Sequence, residues 1–292
     1  MKINTFAPDE HTFLQIIKSI ALKPEKVYCI GSLPTGQSAA PSARPVTVAI
    51  VGTRKPTPYG KETTFALAYN LAKKGVVIVS GLALGIDAAA HKGALEAGGI
   101  TVAVLANGIG TVYPASHRAL AEEIVAGGGA LISEYPPGTP AYPSQFLARN
   151  RIVSGLADAV IVTEAADRSG TLATVMHALE QGREVFAVPG NITSPMSVGP
   201  NRLLKQGAHP ALSADDILEI IAPGLLQPQT QLNLGSNPQE QRVIELLRSG
   251  IRDGEELQRE SHLSASDFSQ TVTMLELSGL IRSLGGNRWT IT

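Results

Sequence analysis

Six short apolar runs, the first five each followed by a helical stretch, constrain the fold more than any other feature of this chain. They are Val46–Val51, Val76–Val79, Thr101–Leu105, Ala130–Ser133, Ala159–Thr163 and Glu184–Val188. Most show no alternation of apolar and polar residues, so both faces of each strand expect cover. The intervening segments read as helices: Tyr59–Lys74, Ile86–Ala97, Ser116–Ala126, Phe146–Leu156 and Gly170–Gln181. Alternation of this kind predicts an α/β fold, a Rossmann-like, doubly wound and mainly parallel sheet.

Breaks in composition divide the rest of the 292 residues. Residues 1–45 read as a short N-terminal extension, with one small helix at Phe13, Ile16, Ile17 and Ile20 and a Gly/Ser/Pro/Ala-rich loop after Gly31. Residues 46–222 form the main domain. Residues 223–237, rich in Pro, Gln and Asn, read as a linker. Residues 238–292 show three short helices and a hairpin signal at Gly285-Gly286-Asn287, the pattern of a small C-terminal winged-helix domain. The N-terminus lacks the apolar run of a signal peptide, no stretch approaches a membrane span, and a single cysteine, Cys29, excludes an internal disulfide. A cytoplasmic protein is expected.

Ligands of open parallel sheets bind beyond the carboxyl ends of the strands. Here those ends carry Gly52-Thr53-Arg54-Lys55, then the stretch Ser80–His91 (S-G-L-A-L-G-I-D-A-A-A-H) with Gly81 and Gly85, then Asn107-Gly108, Ser133-Glu134-Tyr135 and Glu164, with Arg168-Ser169-Gly170 at the next helix start. Glycine turns and helix starts present amides to anions, and arginine suits bidentate phosphate contact. Arg149, Asn150 and Arg151 add to the set. Asp87 reads equally well as a helix cap, and His91 equally well as a core histidine. Any nucleic-acid site must be a local patch, because the formal net charge is only −1.

Several chemistries lack their signatures. Gly60-Lys61 has neither the following Ser/Thr nor the upstream glycine of a P-loop, and Gly108-Ile109-Gly110 lacks the third glycine of a dinucleotide site. The histidines (His11, His91, His117, His177, His209, His262) show no metal-ligand spacing. No nucleophile has an evident base. The expectation is no catalytic residue, no metal and no cofactor. The C-terminal module sets six arginines against eight carboxylates, and its third helix, Ser264–Leu277, carries no basic residue. A major-groove reader needs cations, so this module reads as a protein contact or a weak DNA contact.

Taken together, Val51-Gly52-Thr53-Arg54 with Tyr59-Gly60, S-G-L-A-L-G-I-D with His91, and Thr101–Leu105 with Gly108 and Tyr113-Pro114 resemble the DNA-processing protein A family (DprA, also called Smf). So do Ser133-Glu134, Phe146 with Arg149-Asn150-Arg151-Ile152, Val162-Thr163-Glu164-Ala165 with Ser169-Gly170-Thr171, Val188-Pro189-Gly190, Gly199-Pro200-Asn201 and Gly207-Ala208. The resemblance implies a non-enzymatic, homodimeric protein that binds single-stranded DNA, protects incoming strands in natural transformation and loads a RecA-type recombinase. Carried onto this chain, it makes Arg54 the first phosphate contact. Turn amides near Gly52, Ser80, Gly81 and Gly85 and the Ser169-Gly170 helix start would assist, and Arg149 and Arg151 would contact phosphate or brace the pocket. The sequence departs from the family pattern at Thr53, Leu84, Ile109-Gly110 and Leu147, and its short N-terminus leaves little room for the helical domain many relatives carry. A Rossmann-like nucleotide phosphoribohydrolase is the alternative, and a transcription regulator using the winged helix a third reading.

Overall fold

The computed structural model describes residues 2–36, 44–226 and 237–291, in two compact units divided after Leu226. The tip of the Gly31–Pro45 loop and most of the expected linker lie outside the described residues.

In the first unit the strands are β1 (Asn4–Phe6), β2 (Val27–Gly31), β3 (Thr47–Val51), β4 (Val77–Ser80), β5 (Thr101–Val104), β6 (Ala130–Ser133), β7 (Ala159–Val162), β8 (Glu184–Ala187) and β9 (His209–Pro210). The helices are α1 (Pro58–Lys73), α2 (Ile86–Glu96), α3 (Arg118–Ala126), α4 (Pro143–Leu156), α5 (Thr171–Glu180), α6 (Val198–Lys205) and α7 (Ala214–Ile221). The strands form one sheet in the order β1-β2-β6-β5-β4-β3-β7-β8-β9. From β6 to β9 every neighbouring pair is parallel; β2 runs antiparallel to β6, and β1 to β2.

Side chains alternate between the two faces of the sheet with period two, and both faces are buried. Val48, Ile50, Ile78 and Ile161 face α1, α2 and α7 through Leu67, Leu71, Ala90 and Ile217. Ala49, Val51, Val79 and Val160 face the opposite side, where α4 and α5 supply Ile152, Leu156 and Val175. Each fully buried aliphatic side chain contributes about 1.5–3 kcal/mol through removal from water, and both faces of the sheet contribute. The doubly wound, mainly parallel architecture expected from the apolar runs is the one observed.

Three features differ from the sequence reading. Residues 4–31 supply two strands to the sheet, and Phe13, Leu14 and Ile17 are fully buried beside a short 3-10 helix, Gln15–Ser19. The segment expected as an extension therefore belongs to the first compact unit, because its apolar residues cover the α4 side of the sheet. Helix α4 begins at Pro143, three residues early, since proline fits the first helical turn. Finally, α6, α7 and β9 were not expected. Gly199-Pro200 lies in the first turn of α6, and Ser213 caps α7 by accepting from the Asp216 amide at 3.1 Å, a box visible in the sequence as S-A-D-D.

The second unit comprises α8 (Pro238–Arg248), α9 (Gly254–Ser261) and α10 (Ala265–Leu277), with a hairpin of β10 (Ile281–Ser283) and β11 (Trp289–Ile291). Val243, Leu247, Leu257, Val272 and Leu275 form its core.

The sheet fixes where a ligand can sit. From β3 the chain winds outward through β4, β5 and β6, then returns to place β7 on the other side of β3. The crevice between the carboxyl ends of β3 and β7 is the topological switch point of the fold.

Candidate functional site

A pocket of about 460 Å³ opens at that switch point. Its lining includes Gly52, Thr53, Arg54 and Lys55 after β3, Arg168, Ser169 and Gly170 before α5, and Phe146, Arg149 and Asn150 from α4. Three separate segments converge because β3 and β7 are neighbours and α4 crosses the same end of the sheet.

The loop after β3 is held from beneath. The Thr53 amide donates to the Glu164 carbonyl at 2.7 Å. Thr57, the N-cap of α1, donates through its hydroxyl (2.6 Å) and amide (2.9 Å) to the two oxygens of the Glu164 carboxylate. A Cβ at Gly60 would lie 2.3 Å from that carboxylate, so glycine there lets Glu164 reach the cap. Sequence reading placed Glu164 in the loop set without this role; the Tyr59-Gly60 pair two residues after a capping threonine is the signal it left.

Arg54 and Lys55 are exposed at the mouth. The Arg54 guanidinium lies over the Phe146 ring, 5.3 Å from its centroid, and Tyr113, half exposed, meets the same ring edge-on at 5.4 Å. Arg168 and Gly170 are exposed on the opposite wall. Among the described residues, Arg54, Lys55 and Arg168 enter no ion pair within 4 Å. The Ser169 hydroxyl donates to Thr171 Oγ1 (3.0 Å) and accepts from the Thr171 amide (3.2 Å). It thereby shapes the first turn of α5, whose amide end faces the crevice. Asn150 donates to the Gly170 carbonyl at 3.5 Å, tying α4 to that turn.

The Ser80–Gly85 turn plays a different part from the one its glycines foretell. Ser80 is fully buried, and its hydroxyl donates to the Ile50 carbonyl at 2.7 Å. The Gly81 and Ala83 amides donate to Asp87 Oδ2 at 3.0 and 3.2 Å. These amides point inward to a side chain one helical turn on, so the turn closes on itself. A Cβ at Gly81 would lie 2.0 Å from the Arg149 guanidinium, and one at Gly85 (φ +84°) would lie 2.5 Å from the Thr53 carbonyl. Both glycines permit close packing under the crevice; neither lines it.

Arg149 is 4% exposed and donates to the Val104 carbonyl. Burial lowers its pKa to about 10, partly offset by Asp87, so it stays charged at neutral pH. Burial pushes the Asp87 carboxyl upward, opposed by the Arg149 charge and the two amides. Arg149 Nε has no partner among the described residues. Arg151 is different. Its guanidinium meets the Glu134 carboxylate in a fork, 2.7 Å on each arm, and its Nε donates to the Leu22 carbonyl at 2.7 Å. It braces α4 against β6 and the N-terminal segment, away from the pocket. His91 is fully buried, bonded to Thr101 Oγ1 at 2.7 Å, and held neutral with its pKa lowered to about 3 by burial, with His117 and Arg149 adding. It is a core histidine.

Residues 4–222 match the family described as DNA recombination-mediator protein A, and residues 227–287 match the DprA winged helix domain. This chain belongs to the DNA recombination-mediator protein A family. It is 42% identical over 247 residues to Protein Smf of Escherichia coli strain K12, covering 82% of this chain and 66% of that protein. To the DNA processing protein DprA of Bacillus subtilis strain 168 it is 47% identical over 172 residues, 59% of this chain and 58% of that one. The chain thus spans about two-thirds or less of these relatives. Among solved structures it is similar to DNA processing protein A of Streptococcus pneumoniae (TM-score 0.66, 35% identity, 76% of this chain and 75% of that one). It is also similar to DNA processing protein A of Helicobacter pylori (TM-score 0.64, 32% identity, 75% and 95%), whose structure is described as giving insight into a unique single-stranded DNA binding mode.

In this member of the family the winged-helix unit exposes Met274 and Leu277 on α10, and Trp289 Nε1 donates to Glu276 at 3.2 Å. Among the described residues no helix is long and apolar enough to cross a membrane, and no cluster of three or more His, Cys, Asp or Glu residues could hold a metal ion.

Proposed function

We propose that this chain binds single-stranded DNA in the crevice between β3 and β7, without sequence readout and without chemistry on the strand. The observation that carries the reading is the mouth of the crevice. Unpaired Arg54 and Lys55 lie on the side of the Phe146–Tyr113 aromatic pair, and unpaired Arg168 lies on the opposite wall with the amide end of α5. Cations that track a backbone beside rings that accept any base are the parts of a sequence-tolerant single-strand site. Phosphate contacts come from Arg54, Lys55, Arg168, Ser169 and Gly170, with Thr53, Gly52 and Asn150 shaping the walls. Arg149 adds buried positive charge below. Ser80, Gly81 and Gly85 act one step back, by holding these groups in place, while Arg151 braces α4 away from the pocket.

A binding role also agrees with the carboxylates near the site. Both oxygens of Glu164 are bonded to Thr57, and Asp87 Oδ2 takes two amides. In this reading the chain works in the cytoplasm as a homodimer in natural transformation, shielding incoming strands and passing them to a RecA-type recombinase. The family and the solved Helicobacter pylori relative support the DNA part. The acidic winged helix, with exposed Leu277, suits a protein contact better than a DNA one.

Fluorescence anisotropy with labelled oligo-dT and a matched duplex, at two salt concentrations, tests the proposal. Wild type should prefer the single strand, with affinity falling steeply as salt rises. Arg54→Ala should weaken binding by about 10-fold or more, the range expected for a lost charge-assisted contact of about 1.5–3 kcal/mol. A chain that binds neither DNA but retains nucleoside monophosphates would replace this reading with the phosphoribohydrolase one.

A further inference from the structure

A second depression borders the segment that floors the crevice. Gly85, Ala88 and Ala89 form the low floor of a second groove, about 530 Å³, between α1 and α2, with Lys61, Phe65 and Lys92 on its walls. The two depressions share one loop. Ala83 and Asp87 line the crevice, while Gly85 between them lines the groove.

Charge and aromatic surface run on from there along α1. Phe65 is 38% exposed and stacks on Tyr69 with ring centroids 6.4 Å apart and planes 17° from parallel. The Lys73 ammonium lies 5.7 Å from the Tyr69 centroid. Lys61 and Lys73 are twelve positions apart, about 18 Å along a helix. Lys61, Lys73 and Lys92 are exposed and, among the described residues, none enters an ion pair within 4 Å. The adjacent Lys74 does, to Asp215 at 3.0 Å. Glu62 sits on the rim shared with the groove on the other side of α1, and Glu96 is exposed at the far end of α2, so the cations outnumber the carboxylates three to two.

We infer that a single strand held in the crevice continues over Lys55 into the α1/α2 groove, with Lys61 and Lys92 on its phosphates and Phe65 under a base. The inference rests on the crevice reading above. It commits to single-stranded nucleic acid because the groove borders the same Ala83–Asp87 segment as the crevice and offers unpaired cations beside exposed Phe65 and half-buried Tyr69. A purely apolar partner would have no use for the lysines.

The test uses the full chain and two labelled oligo-dT probes, of about six and about 20 nucleotides, spanning the usual range of single-strand site sizes. Lys61→Ala/Lys92→Ala keeps good helix formers at exposed positions, so folding is preserved. This variant should leave the short probe unaffected. With the long probe its plot of log affinity against log salt should be shallower by about 1.4, two phosphate contacts at about 0.7 each. Phe65→Ala should weaken the long probe alone by about 10-fold, the scale of one base–aromatic stack. An unchanged long-probe slope in the double variant, with Arg54→Ala still defective on both probes, overturns the groove and leaves the crevice standing. Loss confined to the groove variants, with Arg54→Ala normal, overturns the crevice reading instead. Failure of wild type to bind either probe overturns both.

Discussion

Gly85→Ala is the substitution that ties the fold most directly to the proposed site. Gly85 is the N-cap of α2 and holds φ +84°, ψ −119°, a region essentially closed to residues with a Cβ. The strain alone costs about 1–3 kcal/mol. A methyl there would also meet the Thr53 carbonyl at 2.5 Å and the Arg54 carbonyl carbon at 2.7 Å. Both are backbone atoms, and the Thr53 carbonyl accepts from the Ile86 amide at 3.2 Å, so the methyl has no flexible side chain to displace. Overpacking of this kind adds about 1–3 kcal/mol. Gly98 supplies the control: φ is +68°, but an added Cβ meets nothing within 4 Å. Gly98→Ala should cost only the left-handed penalty, about 1–2 kcal/mol. For a unit of this size about 1 kcal/mol moves Tm by roughly 2–4 °C. Differential scanning fluorimetry should therefore show Gly98→Ala down by about 3–6 °C and Gly85→Ala down by about 10 °C. Only the second should also weaken oligo-dT binding, because the clash pushes the loop that carries Arg54. Equal Tm values for the two variants, or normal DNA binding by a destabilised Gly85→Ala, would refute the reasoning.

Arg151→Ala breaks a mostly buried fork to Glu134 and should lower stability in urea titration by about 3 kcal/mol. Oligo-dT affinity measured without urea should stay within about 2-fold of wild type, because the fork lies off the pocket and phosphate contacts dominate affinity. Phe146→Ala removes the ring beneath Arg54, and anisotropy should show a loss of about 1–3 kcal/mol, the scale of one base stack. His91 links stability to acid. Its folded pKa of about 3 lies below the ordinary 6.5, so the unfolded chain takes up the proton first and stability is lost as pH falls from 6.5 toward 3. At pH 5 the loss is about 2 kcal/mol. Asp87, shifted upward, works in the opposite sense, so urea titrations should compare wild type with His91→Gln at pH 7 and pH 5. A variant that loses as much stability on acidification as wild type would remove His91 from the account.

The architecture was legible because strands buried on both faces have a composition that amphipathic segments lack. The expected runs and the observed β3–β8 agree to within a residue or so at their ends. The N-terminal strands were not, since β1 and β2 are short, and their pairing with each other and with β6 is a long-range choice that local pattern does not encode. The site was legible as a set of loops but not as a set of roles. Part of the missing information was nonetheless present. Arg149 and Arg151 are two apart on α4, and residues two apart on a helix do not share a face. Both could not serve one ligand, and the structure sends one under the crevice and the other to Glu134. What no periodicity supplies is which acid each arginine meets. The strand-end loops hold carboxylates as well as guanidinium groups, so their composition leaves the sign of the crevice open. The fold decides it by pairing. Glu134 takes Arg151, Glu164 takes the cap of α1, and Asp87 takes the turn beneath, facing the charge of Arg149. Arg54, Lys55 and Arg168 are left without an acid, and the positive mouth of the crevice is the remainder of that pairing.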